Sequence, residues 1–213
     1  MAPTSGGVND FVIKLANVNG TGSASANGLL MRSLFRMGVP VTGKNYFPSN
    51  IQGLPTWYEI RVSGDGHLCA AGRVDIMVAM NAETYADDVA DVAPGGVFIY
   101  DSSWPRERQL AREGVRLIGI PLANLVNDLF DVPRTRILMK NMAYFGALVP
   151  LLNIDMDLVE SLIKERLGSK KGLLEANMQA IEVGRQYALE HFDCPLPTHV
   201  ERMDRTEIGR AHV

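Results

Sequence analysis

The feature that most constrains this chain is Phe11–Gly28, FVIKLANVNGTGSASANG, where an apolar run breaks into a loop of glycine, serine and threonine. A strand–loop–helix start of this kind builds an anion pocket. Small residues let the backbone approach a ligand, and the first N–H groups of the following helix lack intrahelical partners. The loop reads Gly20-Thr21-Gly22-Ser23-Ala24-Ser25, close to the dinucleotide fingerprint G-x-G-x-x-G/A with Ser25 in the third small position. The same glycines would also serve a tight turn that lets helix and strand pack closely, so both readings stand at this point.

A nicotinamide or flavin site needs an acid about 20 residues further on, to hold the ribose hydroxyls. Here Gly38–Tyr46 reads GVPVTGKNY, without an acid, and Lys44 stands where the carboxylate belongs. A cation there suits a phosphorylated ligand or the acidic edge of a partner better than a bare ribose. A self-sufficient nucleotide-dependent oxidoreductase is therefore not expected.

Short apolar strands alternate with helices along the next hundred residues. Strands are predicted at Phe11–Val18, Val39–Thr42, Trp57–Val62, Val74–Met80, Val97–Tyr100 and Val115–Ile120. Helices are predicted over Ser23–Met37, closed by Gly38, and over Glu83–Val92, capped by Asn81 and ended by Pro94-Gly95-Gly96. A charged helix lies before Val115, and the turn-rich Asn45–Pro55, carrying Tyr46, Phe47 and Ile51, reads as a functional loop. From about Ala123 the texture turns helical: Arg136–Leu152, Met156–Leu167 and Lys171–Phe192, with breaks at Pro150 and Gly168 and close packing at Gly146-Ala147. The expected fold is α/β: a Rossmann-like, mainly parallel sheet with flanking helices and a helical C-terminal extension. Asp101 is expected to cap a helix and Trp104 to be a packed aromatic. Arg73 and Asp75 are within reach of pairing.

Composition narrows the function classes. Lysine and arginine nearly balance aspartate and glutamate, with a net charge of −3, so nucleic acid is not an expected partner. No apolar run reaches the roughly 18 residues of a membrane span, and MAPTSGGVNDF lacks the order of a secretory signal. Cys69 and Cys194 are far apart and the histidines are scattered, so spacing offers no metal or cluster site and a reduced, cytoplasmic protein is expected.

Four blocks, NVNGTGSASANG, GKNYFPSNIQGLPTWYEIRV, RVDIMVAMN and GGVFIYDSSW, resemble the gamma-type domain of 2-oxoacid:ferredoxin oxidoreductases. The likeness is greatest to the start of the long alpha subunit of the 2-oxoglutarate-type enzymes and runs from about Asn9 to Asp204. It implies a complex that oxidatively decarboxylates a 2-oxoacid, joins the acyl group to coenzyme A and passes electrons to ferredoxin. Thiamine diphosphate, Mg2+ and an iron–sulfur cluster are implied for that complex, and the beta subunit and the remainder of the alpha subunit as partners. None of that redox equipment is visible in these residues, so no catalytic or metal residue is assigned and the domain is read as an assembly and substrate-handling piece. By the resemblance, Gly20, Thr21, Gly22, Ser23 and Ser25 form the glycine-rich turn, and Lys44 opens the loop after the second strand. A coenzyme A pyrophosphate or adenosine phosphate held there, or contacts to the thiamine domain or beta subunit, are both open. The alternative function is a free-standing, non-catalytic interaction module of the same fold.

The expected organisation is a gamma-type domain over residues 8–195 and the start of a linker to a thiamine-enzyme domain over residues 196–207. Ile208-Gly209-Arg210-Ala211-His212-Val213 matches the in-frame translation of the sequencing adapter ATCGGAAGAGCACACGTC and is expected to be non-biological. His212 accordingly carries no functional weight.

Overall fold

The computed structural model describes residues 7–47, 51–69 and 71–203; the 208–213 segment lies outside them. Six described strands form one sheet: β1 (Asp10–Val18), β2 (Val41–Tyr46), β3 (Pro55–Ser63), β4 (Val74–Ala79), β5 (Val92–Asp101) and β6 (Arg116–Ile120). Their spatial order is β2-β3-β1-β4-β5-β6. β1, β4, β5 and β6 run parallel, β3 is antiparallel to both β1 and β2, and so β3 alone opposes the other five. The sheet is mainly parallel, as the alternating pattern predicts.

Alternation along the strands builds two cores. Phe11, Ile13 and Leu15 of β1, Ile76 and Val78 of β4, and Val97 and Ile99 of β5 face one side. There they meet α1 (Ser23–Arg36) and the long α5 (Pro133–Leu151). Ala16, Met77, Ala79, Phe98 and Tyr100 face the other side. They pack against α2 (Tyr85–Asp91) and the single turn α3 (Glu107–Leu110). A short α4 (Leu122–Asn127) leads into α5, and α6 (Met156–Leu167) and α7 (Lys171–His191) complete the helical extension. α7 crosses α5 at its glycines: a Cβ on Gly146 would come within 2.1 Å of the Ile181 carbonyl oxygen.

Several boundaries differ from expectation, each for a local reason. β2 begins at Val41 and runs to Tyr46, because β3 supplies backbone partners for Gly43, Lys44 and Asn45 despite their weak strand preference. Pro94-Gly95-Gly96 does not end a helix. It is the excess chain of a bulge, since Val74 pairs with Val92 but Ile76 with Val97, and Gly95, at φ +84°, donates its N–H to the Gly114 carbonyl at 2.6 Å. Asn81 does not cap α2. Its Oδ1 accepts the Glu83 N–H at 3.1 Å, an Asx turn begun three residues ahead of the N-cap Thr84. Pro150 lies inside the last turn of α5, which ends one residue later at Leu151.

Candidate functional site

The loop after β1 opens the site. Gly20 and Gly22 have φ of +88° and +82°, a left-handed backbone that side chains with a Cβ disfavour. Thr21 is turned inward: its hydroxyl donates to the Val18 carbonyl and its own carbonyl accepts the Asn141 amide of α5, both at 2.8 Å. The second loop singled out in the sequence is bonded to the first. The Asn19 N–H donates to Leu54 O at 2.9 Å, and the Gly53 N–H donates to Asn19 O at 3.0 Å. Residues 48–50 of that second loop lie outside the described residues.

Gly22 is the N-cap of α1, with no side-chain cap and no acid in the first turn. The positive end of the helix therefore faces out unneutralised, the condition for binding an anion. It opens onto a cleft of about 340 Å³, walled by Asn19, Gly20, Gly22, Ser23, Ala24 and Asn27. The opposite wall is Asn45, Phe47, Thr56 and Tyr58, from β2, β3 and the residue after β2. No charged side chain lines the cleft among the described residues, so backbone dipoles and amides would meet a ligand's charge.

The six sequence-assigned residues do not form one site. Gly20, Gly22 and Ser23 share this cleft, whereas Thr21 is tied inward. Ser25 lies on the other flank of the helix start, where its hydroxyl accepts from Arg166 Nη2 at 2.9 Å. There it borders a mostly apolar cavity of about 220 Å³. Lys44 is a correction. β2 carries it as a strand residue, opposite Glu59, so the two-residue alternation turns it away from Asn45 and Tyr58 to the other face of the sheet. It borders a separate cleft with Thr42, Tyr46, Glu59 and Arg61, and its Nζ sits 4.8 Å from the Tyr46 ring centre. Asn27, Asn45 and Thr56 were not anticipated. Asn27 had a usable signal, lying four residues past Ser23 on the same helix face.

Elsewhere the structure explains residues that looked chemical. Asp101 is 4% exposed and accepts the Ser103 N–H at 3.2 Å, the Ser103 hydroxyl at 2.7 Å and the Ala123 N–H at 3.4 Å. It thus helps cap α4, with Lys140 Nζ at 3.4 Å balancing its charge. Trp104 is 56% exposed and is not the packed aromatic expected. Arg73 pairs with buried Asp75 at 3.1 Å, and Asp75 also accepts the Val12 N–H, a structural clamp on β1. Both cysteines are free, and among the described residues no group of three or more His, Cys, Asp or Glu side chains is placed to hold a metal ion. Two cysteines do not by themselves supply the four thiolates of an iron–sulfur cluster. No helix among the described residues is long and apolar enough to cross a membrane.

Comparison with known proteins gives this geometry a context. The pyruvate ferredoxin/flavodoxin oxidoreductase family model matches residues 12–187. The chain is 23% identical over 223 residues to 2-oxoacid:ferredoxin oxidoreductase 2, subunit alpha, of Aeropyrum pernix, covering 87% of this chain and 35% of that protein. It superposes on the 2-oxoglutarate:ferredoxin oxidoreductase of Magnetococcus marinus, solved with 2-oxoglutarate, coenzyme A and succinyl-CoA bound, with a TM-score of 0.79 and 26% identity. That match covers 91% of this chain and 33% of the other, so the chain spans about a third of the length of these two relatives. The pyruvate oxidoreductase subunit of Thermotoga maritima shares the fold at a TM-score of 0.70 and 17% identity, with 97% of it covered.

Proposed function

The chain belongs to the pyruvate ferredoxin/flavodoxin oxidoreductase family, and on that basis we propose that it is the gamma-type domain of a 2-oxoacid:ferredoxin oxidoreductase whose glycine-loop cleft holds the phosphate groups of coenzyme A. The observation that carries this reading is the uncapped, acid-free start of α1 opening onto a cleft lined by small and amide-bearing residues. A relative with coenzyme A bound supports the ligand, and its 2-oxoglutarate supports that 2-oxoacid as substrate. The whole complex would oxidatively decarboxylate the 2-oxoacid to acyl-coenzyme A and reduce ferredoxin. The thiamine diphosphate, Mg2+ and iron–sulfur cluster of that chemistry belong to its other parts. The beta subunit and the remaining alpha chain are the proposed partners, and two free cysteines accord with a reducing, cytoplasmic setting.

A second reading gives the two loops to docking against the thiamine-bearing part, favoured by Phe47 and Ile51, which stand 54% and 64% exposed beside the cleft. One experiment separates them. In the full-length protein purified with its partner subunit, Gly22→Val places a side chain at φ +82° and within 2.5 Å of Leu138 Cδ2. An intact complex whose KM for coenzyme A rises about tenfold or more supports ligand binding. Loss of assembly supports docking, and an intact complex with normal coenzyme A kinetics makes the loop merely structural.

A further inference from the structure

The cavity of about 220 Å³ on the other flank of α1 lies where α5, α6 and the start of α7 meet that helix. Its walls are apolar: Leu29 of α1, Leu138 and Met142 of α5, Ile163 and Leu167 of α6, and Leu173 of α7. An apolar cavity of about 150 Å³ suffices to hold benzene, so this one has room for an aromatic ring and a short substituent. Leu138 and Leu173 are 38% and 42% exposed and form its open side. Two polar groups stand together at the rim. Arg166, in the last turn of α6, donates from Nη2 to the Ser25 hydroxyl oxygen at 2.9 Å and from Nη1 to the Ser25 carbonyl at 3.4 Å. A guanidinium has five N–H donors in one plane, so these two bonds orient the plane and others remain to be given. The Ser25 hydroxyl, which accepts from Arg166, still has its own proton to donate. No acid lines the cavity among the described residues, and the adjacent Glu165 is taken up by Arg36 in two bonds of 2.8 Å. The residues that line the cavity therefore leave the Arg166 charge unbalanced.

We infer that this cavity binds a small amphipathic carboxylate, its apolar body among the leucines and its anionic head on Arg166 and the Ser25 hydroxyl. An apolar pocket with a few convergent polar groups is the usual form of a small-molecule site. The apolar walls select the body, of the size of a phenyl ring or a branched aliphatic chain. The rim selects the head, because a planar carboxylate accepts two N–H groups of one guanidinium side by side and a neutral hydroxyl does not. The site is distinct from the glycine-loop cleft: Gly22 borders both, and no other lining residue is shared. It therefore stands whether or not that cleft holds a phosphate.

The test titrates the full-length protein, with its partner subunit, by ligand-observed NMR. Three probes divide the ligand: phenylacetate, 2-phenylethanol, which keeps the ring without the charge, and acetate, which keeps the head without the ring. Phenylacetate is expected to bind with a Kd of about 1 mM or tighter. The alcohol should bind about tenfold or more weakly, the worth of a charge-assisted hydrogen bond, and acetate should not saturate over the same range. Arg166→Gln is expected to bring phenylacetate to the level of the alcohol and to leave the alcohol unmoved. Leu173→Glu, at another exposed position and on a different helix, sets a negative charge at the rim and should abolish phenylacetate binding. It carries the test alone if Arg166→Gln fails to fold. Equal affinity for acid and alcohol overturns the assignment of the anionic head. Wild-type affinity for phenylacetate in both variants overturns the site. So does an unmodified protein that does not bind phenylacetate, a result that would give the cavity to another part of the assembly as its cover.

Discussion

Gly184 of α7 lies against the backbone carbonyl of Ala143 in α5, so closely that a Cβ there would stand 1.9 Å from the oxygen. Backbone, unlike a side-chain tip, cannot swing aside. Gly184→Ala is therefore expected to force the two helices apart and lower stability by about 2–4 kcal/mol in urea denaturation. Gly172, in the first turn of the same helix, has open space around its Cβ position. Gly172→Ala should leave stability unchanged or raise it by about 0.5–1 kcal/mol. Equal effects at the two positions would mean that helix propensity, and not contact, governs.

Asp88 of α2 supplies a pH dependence. Burial raises its pKa, against the Thr84 hydroxyl at 2.6 Å and the Trp57 indole N–H at 2.8 Å, which favour the charged form. A carboxyl with a raised folded pKa stabilises fully below its unfolded pKa and loses that contribution as pH rises through the folded value. Wild-type stability should therefore carry a downward contribution as pH rises from the ordinary carboxylate range through the raised folded pKa of Asp88. Asn at this position keeps an acceptor for Trp57 and never ionises. Asp88→Asn is expected to flatten that fall and to match or exceed wild type at neutral pH by up to about 1 kcal/mol. Denaturation midpoints at several pH values decide it, and an unchanged slope would show that Asp88 ionises freely.

Asp101 ties the end of β5 to α4 and α5. Removing it in Asp101→Ala leaves the Ser103 and Ala123 N–H groups and Lys140 without their shared acceptor, with an expected loss of about 2–3 kcal/mol. Asp101→Asn retains an acceptor and should lose less. The neighbouring Tyr85 gives an independent readout: burial, and then the Asp101 charge, push its hydroxyl up to about 12. Ultraviolet titration of Asp101→Asn should find Tyr85 ionising at lower pH than in the wild type, and an unmoved Tyr85 would place that charge elsewhere.

The parts legible in the sequence were those set by local rules. α6 occupies Met156–Leu167 as its apolar spacing indicates, and α1 closes where Gly38 takes a φ of +80°. The glycine loop was legible because small residues at a strand end have few other uses. What escaped was decided by distant partners. β2 extends through Lys44 because β3 is there to receive it, and α4 forms beneath Asp101 and Ser103 from some twenty residues upstream. The Tyr144–Asn27 bond joins residues 117 positions apart, and no spacing rule reaches that far.

Among the described strands β2 has a single hydrogen-bonded neighbour, and two adjacent residues on it serve opposite sides of the sheet: Asn45 borders the glycine-loop cleft and Lys44 the other. One residue inserted or deleted ahead of Thr42, by slipping β2 one residue against β3, would exchange them. The cleft would then hold a full positive charge where it now holds only dipoles. The charge a domain of this architecture prefers in its ligand is therefore adjustable by chain length at one edge, without altering any residue of the loop itself.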